Sequence, residues 1–562
     1  MYYSEFVEVY EKLAGTTKRL EKISILAEFF KKLKQKGKKE WMYLLVGKVT
    51  ADYGTREFGI SGQLTIKALA GAYGISSEKV LERFKKIGDF GEIAEELSEK
   101  RKQAALFAKK LDVDKVFDNL VKILSIEGKG AIERKLDLVS ELLASASGKE
   151  AKYIIRTLLS DLRVGVSTPT IIHALAEAFF PDKEDAAEKL QEAYDLSNDF
   201  AEIFDHAAKG ELKELTKVNI VPGKPINVML AVKAKDINEA FEICGKPAAI
   251  EQKYDGFRML INKRGNNFWL FTRRLEDVTK QFPDVVEAVK KNLKGESFIL
   301  DSEVVGYDRK TKKYKPFEAI SQRIKRKYEV EKLIEELPVE INVFDVMYYE
   351  GRDFMSVPFK ERRKLVERIV KTEKWKIRPA VQIITDKEDE AMNFYKRALK
   401  IGEEGIMIKK LDAPYKSGRK VGYLVKLKPE LKDFDLVIVG AEHGTGKRAG
   451  WLTSYIVACR SGDKLLEVGK VSSGLKEKEE EGTTYEEMTK LLKPLITEEK
   501  ENVVRVKPKI VVSVNYQNIQ PSPTYSSGFA LRFPRITNYR PDRSIKDITS
   551  LEEIKKEVKK GR

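Results

Sequence analysis

The stretch Glu251-Gln252-Lys253-Tyr254-Asp255-Gly256-Phe257-Arg258 decides how the rest of the chain is read. On a strand, Glu251 and Lys253 point to the same face, and Asp255-Gly256 supplies turn chemistry directly after them. A lysine is thereby set at the mouth of a sheet, beside a carboxylate able to recognise a ligand. A free lysine, with a pKa of about 10.4, is mostly protonated at neutral pH. Burial or neighbouring cations lower that value enough to make a nucleophile. The bare pattern K-x-D-G is also met as a surface lysine in a turn, so its meaning depends on what surrounds it.

Working outward, Phe257 to Lys263 and Phe268 to Thr272 flank Gly265-Asn266-Asn267 and predict a hairpin. Ser297 to Tyr307, Ile341 to Tyr348, Gly405 to Lys409 and Tyr423 to Lys428 predict further strands, with helices at Lys360 to Lys371 and Glu388 to Lys400. This is a mixed α+β region, bounded upstream by the linker-like Val221-Pro222-Gly223-Lys224-Pro225 and downstream by Lys428-Pro429. Residues 1–220 carry helical periodicity, as in Leu20 to Phe30 and Tyr153 to Leu159, with breaks at Gly59, Gly74, Gly88 and Gly165. Beyond 430, Phe434 to Ala441, Leu452 to Arg460, Leu465 to Val471 and Ile510 to Tyr516 alternate like the strands of a small β-barrel. The 562 residues thus divide into three domains, 1–220, 221–429 and 430–562, in keeping with roughly 100–200 residues per domain.

Charged residues make up 34% of the chain, against about 25% in an average globular protein. With only two Cys, such a surface suits a thermophile. The net charge of +17 favours a polyanionic partner. No apolar run reaches the 18 or so residues of a bilayer span, and Met1-Tyr2-Tyr3-Ser4-Glu5 lacks the pattern of a signal peptide. Cys244 and Cys459 stand far apart, which argues against a disulfide framework. These features predict a cytoplasmic protein with no membrane partner. Three His in the whole chain exclude a zinc cluster of Cys and His. Chemistry is left to Lys, Arg, Asp, Glu and a bound metal.

Set in order along the middle region, the motifs resemble those of the covalent nucleotidyltransferases, specifically the ATP-dependent DNA ligases of archaeal and eukaryotic type. Lys253 with Asp255-Gly256 is similar to the nucleotidyl-lysine motif, followed by Arg258 and by Arg273 in Phe271-Thr272-Arg273-Arg274. Leu300-Asp301-Ser302-Glu303 resembles the motif whose glutamate faces the ribose, with Ser302 where many relatives have Gly. Val343-Phe344-Asp345 resembles the motif whose ring stacks on the base. Glu403-Glu404-Gly405-Ile406-Met407-Ile408-Lys409 resembles the metal motif, and Lys426-Leu427-Lys428 the phosphate motif. The resemblance implies that Lys253 is catalytic. It implies that Glu251, Arg258, Arg273, Glu303, Phe344, Arg419, Lys426 and Lys428 bind the nucleotide, and that Glu303 and Glu404 hold Mg²⁺. Between Arg419 and Lys426 the spacing is slightly longer than in many relatives.

The flanks resemble the same family. Asp161 to Ser167 and Met229-Leu230-Ala231 match segments of its helical DNA-binding domain, and Gln520 to Arg535 matches its oligonucleotide-binding (OB-fold) barrel. In the family, arginines and an acid after that barrel segment help orient the pyrophosphate; here they are Arg540-Pro541-Asp542-Arg543. Gln103, Leu106 and Phe107 resemble an abbreviated sliding-clamp-binding box. Gly444-Thr445-Gly446-Lys447 has the look of a phosphate loop, but Arg448 replaces the required Ser or Thr, so it reads as a basic loop. The expected protein is a monomeric, multidomain enzyme with an all-α DNA-binding domain, an α+β nucleotidyltransferase domain and a C-terminal OB-fold β-barrel. It uses ATP and Mg²⁺ to seal 5′-phosphate/3′-hydroxyl nicks in duplex DNA through lysyl-AMP, in replication, repair and recombination. An RNA ligase or capping enzyme, and a non-catalytic DNA- or clamp-binding protein, are the alternatives.

Overall fold

The computed structural model describes residues 1–560 except 55, 103–109, 326–329, 430–432, 445–447, 449, 478–482 and 501. The clamp-box residues Gln103, Leu106 and Phe107 therefore lie outside the described residues. The chain forms two compact units, Met1–Lys428 and Pro429–Arg562.

The first unit begins with helices from Tyr3–Ala14 to Phe200–Ala207, and no strand occurs among its described residues before Val232. Local chemistry sets the helix ends. The Ser61 and Ser76 hydroxyls accept from backbone N–H groups one turn in, and Ser147 forms a capping box with Glu150. The expected breaks at Gly74 and Gly88 are left-handed helix caps, with φ of 66° and 72°. The apolar stripes of these helices meet in one core that runs from Tyr3 to Val218. Among the described residues no helix is long and apolar enough to cross a membrane.

After the linker come two sheets. The first joins β1 (Val232–Lys233), β2 (Ala248–Lys253), β9 (Gln382–Thr385), β10 (Gly405–Lys410) and β11 (Leu424–Leu427) in the order β1-β11-β10-β2-β9. The second joins β3 (Phe257–Arg264), β4 (Asn267–Thr272), β5 (Ser297–Gly306), β6 (Val339–Tyr349) and β7 (Arg352–Asp353) in the order β4-β3-β5-β6-β7, with β8 (Ile377–Pro379) beside β6. The hairpin expected around Gly265 is β3–β4. Alternation divides each strand between two faces. Ile250, Ile406, Ile408, Val425 and Leu427 pack under helices Ile237–Cys244 and Glu388–Lys400. Phe257, Met259, Ile261, Leu300 and Val304 pack under helices Pro283–Asn292 and Phe359–Ile369. The remaining faces share a cluster of Met229, Leu260, Phe271, Ile299, Met347, Tyr415 and Leu424. Polar residues of both sheets are thereby turned toward a common space.

The second unit is β-rich, as its alternation predicts. It contains β12 (Phe434–His443), β13 (Leu452–Ser461), β14 (Lys464–Val471), β15 (Ile496–Lys500), β16 (Val503–Val506), β17 (Val511–Asn515), β18 (Asn518–Pro521), β19 (Phe529–Arg532) and β20 (Arg535–Tyr539). β12 pairs with β17 through Phe434–Val437 and, past a register shift, with β16 through Gly440–Glu442. The larger sheet runs β14-β13-β12-β16-β15, with β17 and β20 off that path, so pairing among the described residues does not close a barrel. β15 ends it with the exposed residues Thr497 to Lys500, a charged edge of the kind that discourages further pairing.

Candidate active site between the two sheets

Lys253 ends β2, and its place is fixed by the strand beside it. In the antiparallel register Lys253 faces Gly405, while Met407 faces Glu251 on one side and Lys426 on the other. Facing residues share a sheet face, so Glu251, Lys253, Lys409 and Lys426 all project from the side opposite the Ile250 core. Gly405 has no alternative here. Its φ is +146°, and a Cβ would lie 2.1 Å from the Leu427 carbonyl oxygen. Gly256 is held in the same way, since a Cβ there would sit 2.4 Å from the Val304 carbonyl oxygen. Two bonds stitch the turn after β2 to the start of β10. The Glu404 N–H donates to the Lys253 carbonyl (2.9 Å), and the Asp255 N–H donates to Glu403 Oε2 (3.3 Å).

The centre of the site is one carboxylate between two ammonium groups. Lys253 Nζ lies 2.6 Å from Glu404 Oε2, and Lys428 pairs with the same oxygen. Burial pushes the Glu404 carboxyl upward, but the two lysines outweigh it and hold the group below the usual carboxylate range. Glu303, from β5 of the other sheet, is pushed up to about 7 by burial, with Glu404 and Asp301 adding to the rise and Lys253 and Arg258 opposing it. Burial lowers the Lys426 amine, and the charges of Lys428, Lys253, Arg273 and Lys420 lower it further. Cationic charge is thus concentrated on one side of Lys253, where a polyphosphate is best accommodated.

The half-buried Phe344 ring lies 4.5 Å from Lys409 Nζ and 5.5 Å from the Arg258 guanidinium carbon. Its strand is anchored by the next residue. Buried Asp345 accepts two bonds from buried Arg362, at 2.7 and 3.0 Å. Glu251 is almost completely enclosed. Lys409 Nζ lies 2.7 Å from it, Arg363 3.4 Å, and Gln382 donates at 2.9 Å. Arg258 is likewise engaged, donating to Asp301 Oδ1 (2.9 Å) and to the Met229 carbonyl (2.7 Å).

Lys253, Glu251, Arg258, Glu303, Phe344, Glu404, Lys426 and Lys428 therefore converge, and exposed Arg273 contributes its charge at Lys426. Arg419 does not join them. It pairs with Glu188 of helix Ala186–Ser197 at 2.9 Å, and its neighbour Lys420 is the one whose charge acts on Lys426. Sequence reasoning also passed over Lys409, Arg363, Arg362 and Glu403. Glu403 and Lys409 open and close the quoted metal motif, which was the signal available for them; Arg362 and Arg363 are visible only once distant segments meet. In the second unit, Arg540 Nη1 lies 3.1 Å and Arg543 Nε 3.5 Å from Asp435 Oδ2, and Arg540 also pairs with Asp542 at 2.7 Å. Among the described residues no three Asp, Glu, His or Cys side chains form a metal cage.

Comparison with known proteins gives three consecutive family matches: "DNA ligase N terminus" over residues 2–176, "ATP dependent DNA ligase domain" over 228–428 and "ATP dependent DNA ligase C terminal region" over 448–543. The chain is 46% identical to a DNA ligase of Nanoarchaeum equitans, with 100% of this chain and 99% of the relative aligned. It is 39% identical to a DNA ligase of Thermococcus fumicolans (99% and 98% covered) and 37% identical to one of Methanocaldococcus jannaschii (100% of both). Among solved structures, "Pmar-Lig_PreS3" shares the fold with a TM-score of 0.58 at 17% identity, covering 95% of this chain and 99% of that one.

Proposed function

Since the chain belongs to the ATP-dependent DNA ligase family, we propose that the space between the two sheets is where it binds ATP and that Lys253 carries the adenylate. The chain is a DNA ligase, an enzyme that seals nicks in DNA with ATP. In the proposed first step the Lys253 amine attacks the α-phosphate of ATP. An N–P bond forms, the bond to the β-phosphate oxygen breaks, and pyrophosphate leaves. AMP then passes to a 5′-phosphate at the nick, restoring the free amine. Attack by the 3′-hydroxyl joins the strands and releases AMP.

The observation that carries this reading is Glu404 held between Lys253 and Lys428, with the Lys426 amine close enough to feel the charge of both lysines. Phosphoryl transfer asks mainly for positioning and positive charge. Lys426, Lys428 and Arg273, with Lys420, are read as the phosphate-binding cations. Phe344 is read as the platform for the base, with Arg258 and Glu251 fixing its surroundings. Arg419 is read as an anchor rather than a phosphate ligand. Glu404, 2.6 Å from the amine, orients it and lies within reach of its proton. Glu303 and Glu404 fit Mg²⁺: they offer hard oxygen donors, and Glu303 is a half-buried carboxyl, raised by its surroundings, whose ionised form a cation would favour. Mg²⁺ is commonly held by one or two carboxylates together with substrate phosphates and water. When bound there, it supplies positive charge to the phosphates.

For the flanks, residues 1–220 are proposed to grip nicked duplex DNA through Lys and Arg, and residues 430–562 to act as an OB-fold. Gln103, Leu106 and Phe107 are read as a box for a sliding clamp. The helical N-terminal segment favours this reading over an RNA ligase or capping enzyme. The test is incubation with α-labelled ATP and Mg²⁺, followed by addition of nicked DNA. Label should enter the protein, be absent from Lys253→Ala, and move to DNA. Equal labelling of Lys253→Ala would overturn the assignment, and sealing of RNA alone would favour the alternative.

A further inference from the structure

The segment between β10 and β11 reaches in two directions. Toward the site, Tyr415 is buried, and its hydroxyl sits at a junction. It donates to Asp301 Oδ2 (2.7 Å) and accepts from the Met229 N–H (3.1 Å) and from Arg258 Nη2 (3.2 Å). Asp301 is fully buried and also takes the fork of Arg258, so the plane of the guanidinium is set by Asp301 and Tyr415 together. That guanidinium stands beside Phe344. Away from the site, the same segment is fastened to helix Ala186–Ser197. The Ser417 hydroxyl reaches the carbonyls of Asp195 (2.8 Å) and Asn227, and the Asn227 N–H donates to the same Asp195 carbonyl (3.2 Å). Lys416 pairs with Glu192 (3.4 Å) and Arg419 with Glu188 (2.9 Å). Gly418, at φ +66°, packs so closely that a Cβ would lie 2.6 Å from Asp195 Oδ1.

We propose that Tyr415 is a positioning residue for adenylate transfer, and that helix Ala186–Ser197 holds its loop in place, so that a helix of the N-terminal segment acts on the chemistry at Lys253 with no DNA present. The inference rests on the reading of Lys253 as the nucleophile and extends it. Without the hydroxyl, Asp301 and the Met229 N–H each lose a partner in a buried place, and the Arg258 plane is released beside Phe344. If the loop is pushed off the helix, the same plane is disturbed from the far end.

The experiment is single-turnover labelling of the full chain by α-labelled ATP and Mg²⁺ without DNA. Tyr415→Phe is expected to slow transfer at saturating ATP by roughly tenfold, with the half-saturating ATP concentration unchanged. Gly418→Ala is expected to slow it as well, and adding Asp195→Ala, which removes the atoms the new methyl meets, to restore part of the rate, the strain of alanine at φ +66° remaining. Should Gly418→Ala not accumulate, Ser417→Ala tests the same contact and is expected to slow transfer. Wild-type rates in Tyr415→Phe, or a change confined to half-saturation, overturn the positioning role. Wild-type rates in Gly418→Ala, no recovery in the double variant, or wild-type rates in Ser417→Ala overturn the role of the helix. Lys253→Ala runs alongside and should remain unlabelled; if it labels, the nucleophile is misassigned, a failure distinct from the others.

Discussion

Lys426 and Glu251 face the same space and should respond oppositely to removal. Lys426 stands among Lys428, Lys253, Arg273 and Lys420, so Lys426→Ala relieves repulsion in the nucleotide-free protein. It is expected to leave the thermal midpoint unchanged or raised, while weakening ATP binding about tenfold or more in calorimetric titration. A lowered midpoint would contradict this. Glu251 instead neutralises buried Lys409 and Arg363. Glu251→Ala strands buried Lys409 and leaves Arg363 with Glu367 as its counter-ion, and a loss of about 3–5 kcal/mol in denaturant unfolding is expected; a loss under about 1 kcal/mol would show the pair to be dispensable. The contrast marks what could be read from sequence. Lys253, Glu404, Lys426 and Lys428 were legible because each lies in a short motif whose order is itself informative. Arg363 and Gln382 were not, because their contact with Glu251 spans more than a hundred residues and leaves no local trace. Arg419 and Lys420 are adjacent cations, and sequence gives no sign of which one turns toward the helix.

Among the elements, β10 is the one on which the site depends, because it lies between β2 and β11. With its φ of +146° and the Leu427 carbonyl 2.1 Å from a would-be Cβ, Gly405→Ala is expected to cost roughly 3 kcal/mol or more, read as a lowered unfolding midpoint; an unchanged midpoint would refute the close approach. Helix Ala186–Ser197 offers a test in pH. Burial pushes its Asp195 carboxyl up from 3.8 to about 6, with Glu192 adding to the rise and Gln191, Arg419 and Asn227 opposing it. A folded value above the unfolded one means that protonation favours folding. This contribution is complete below about pH 4 and is lost as pH rises through 6. Asp195→Asn cannot ionise, so its stability relative to wild type should climb between pH 4 and 7, by on the order of 3 kcal/mol at most. A difference that stays flat in urea midpoints across that range would refute it. The hairpin at Phe257–Thr272 and the helix Glu388–Lys400 were plain in the sequence, since their periods are clean. Ile496–Lys500 and Val503–Val506 were missed. The first is charged and exposed at the end of its sheet, and its strand character comes from its neighbour rather than from its residues.

At the scale of the whole molecule the net charge of +17 governs encounter with DNA. Binding to a nicked duplex should weaken steeply with salt, by about 0.9 log units per tenfold rise for each phosphate neutralised. Fluorescence anisotropy between low and physiological salt would measure it, and an affinity indifferent to salt would contradict phosphate contact as the source of grip. The division at Lys428 places the last residue of the phosphate motif at the very end of the first compact unit, so Lys253, Phe344, Arg273, Lys420, Lys426 and Lys428 belong to one body. Charge also changes within that body as the proposed reaction runs. At rest Glu404 answers to two cations, Lys253 and Lys428. A lysine nitrogen bonded to phosphorus no longer carries an ammonium charge. Once Lys253 is loaded with AMP, Glu404 is left with Lys428 alone, and its Oε2, which had two positive partners, keeps one and can take another. The carboxylate thus keeps a record of whether the nucleophile is empty or full, and the amine that returns when AMP departs finds its counter-ion waiting.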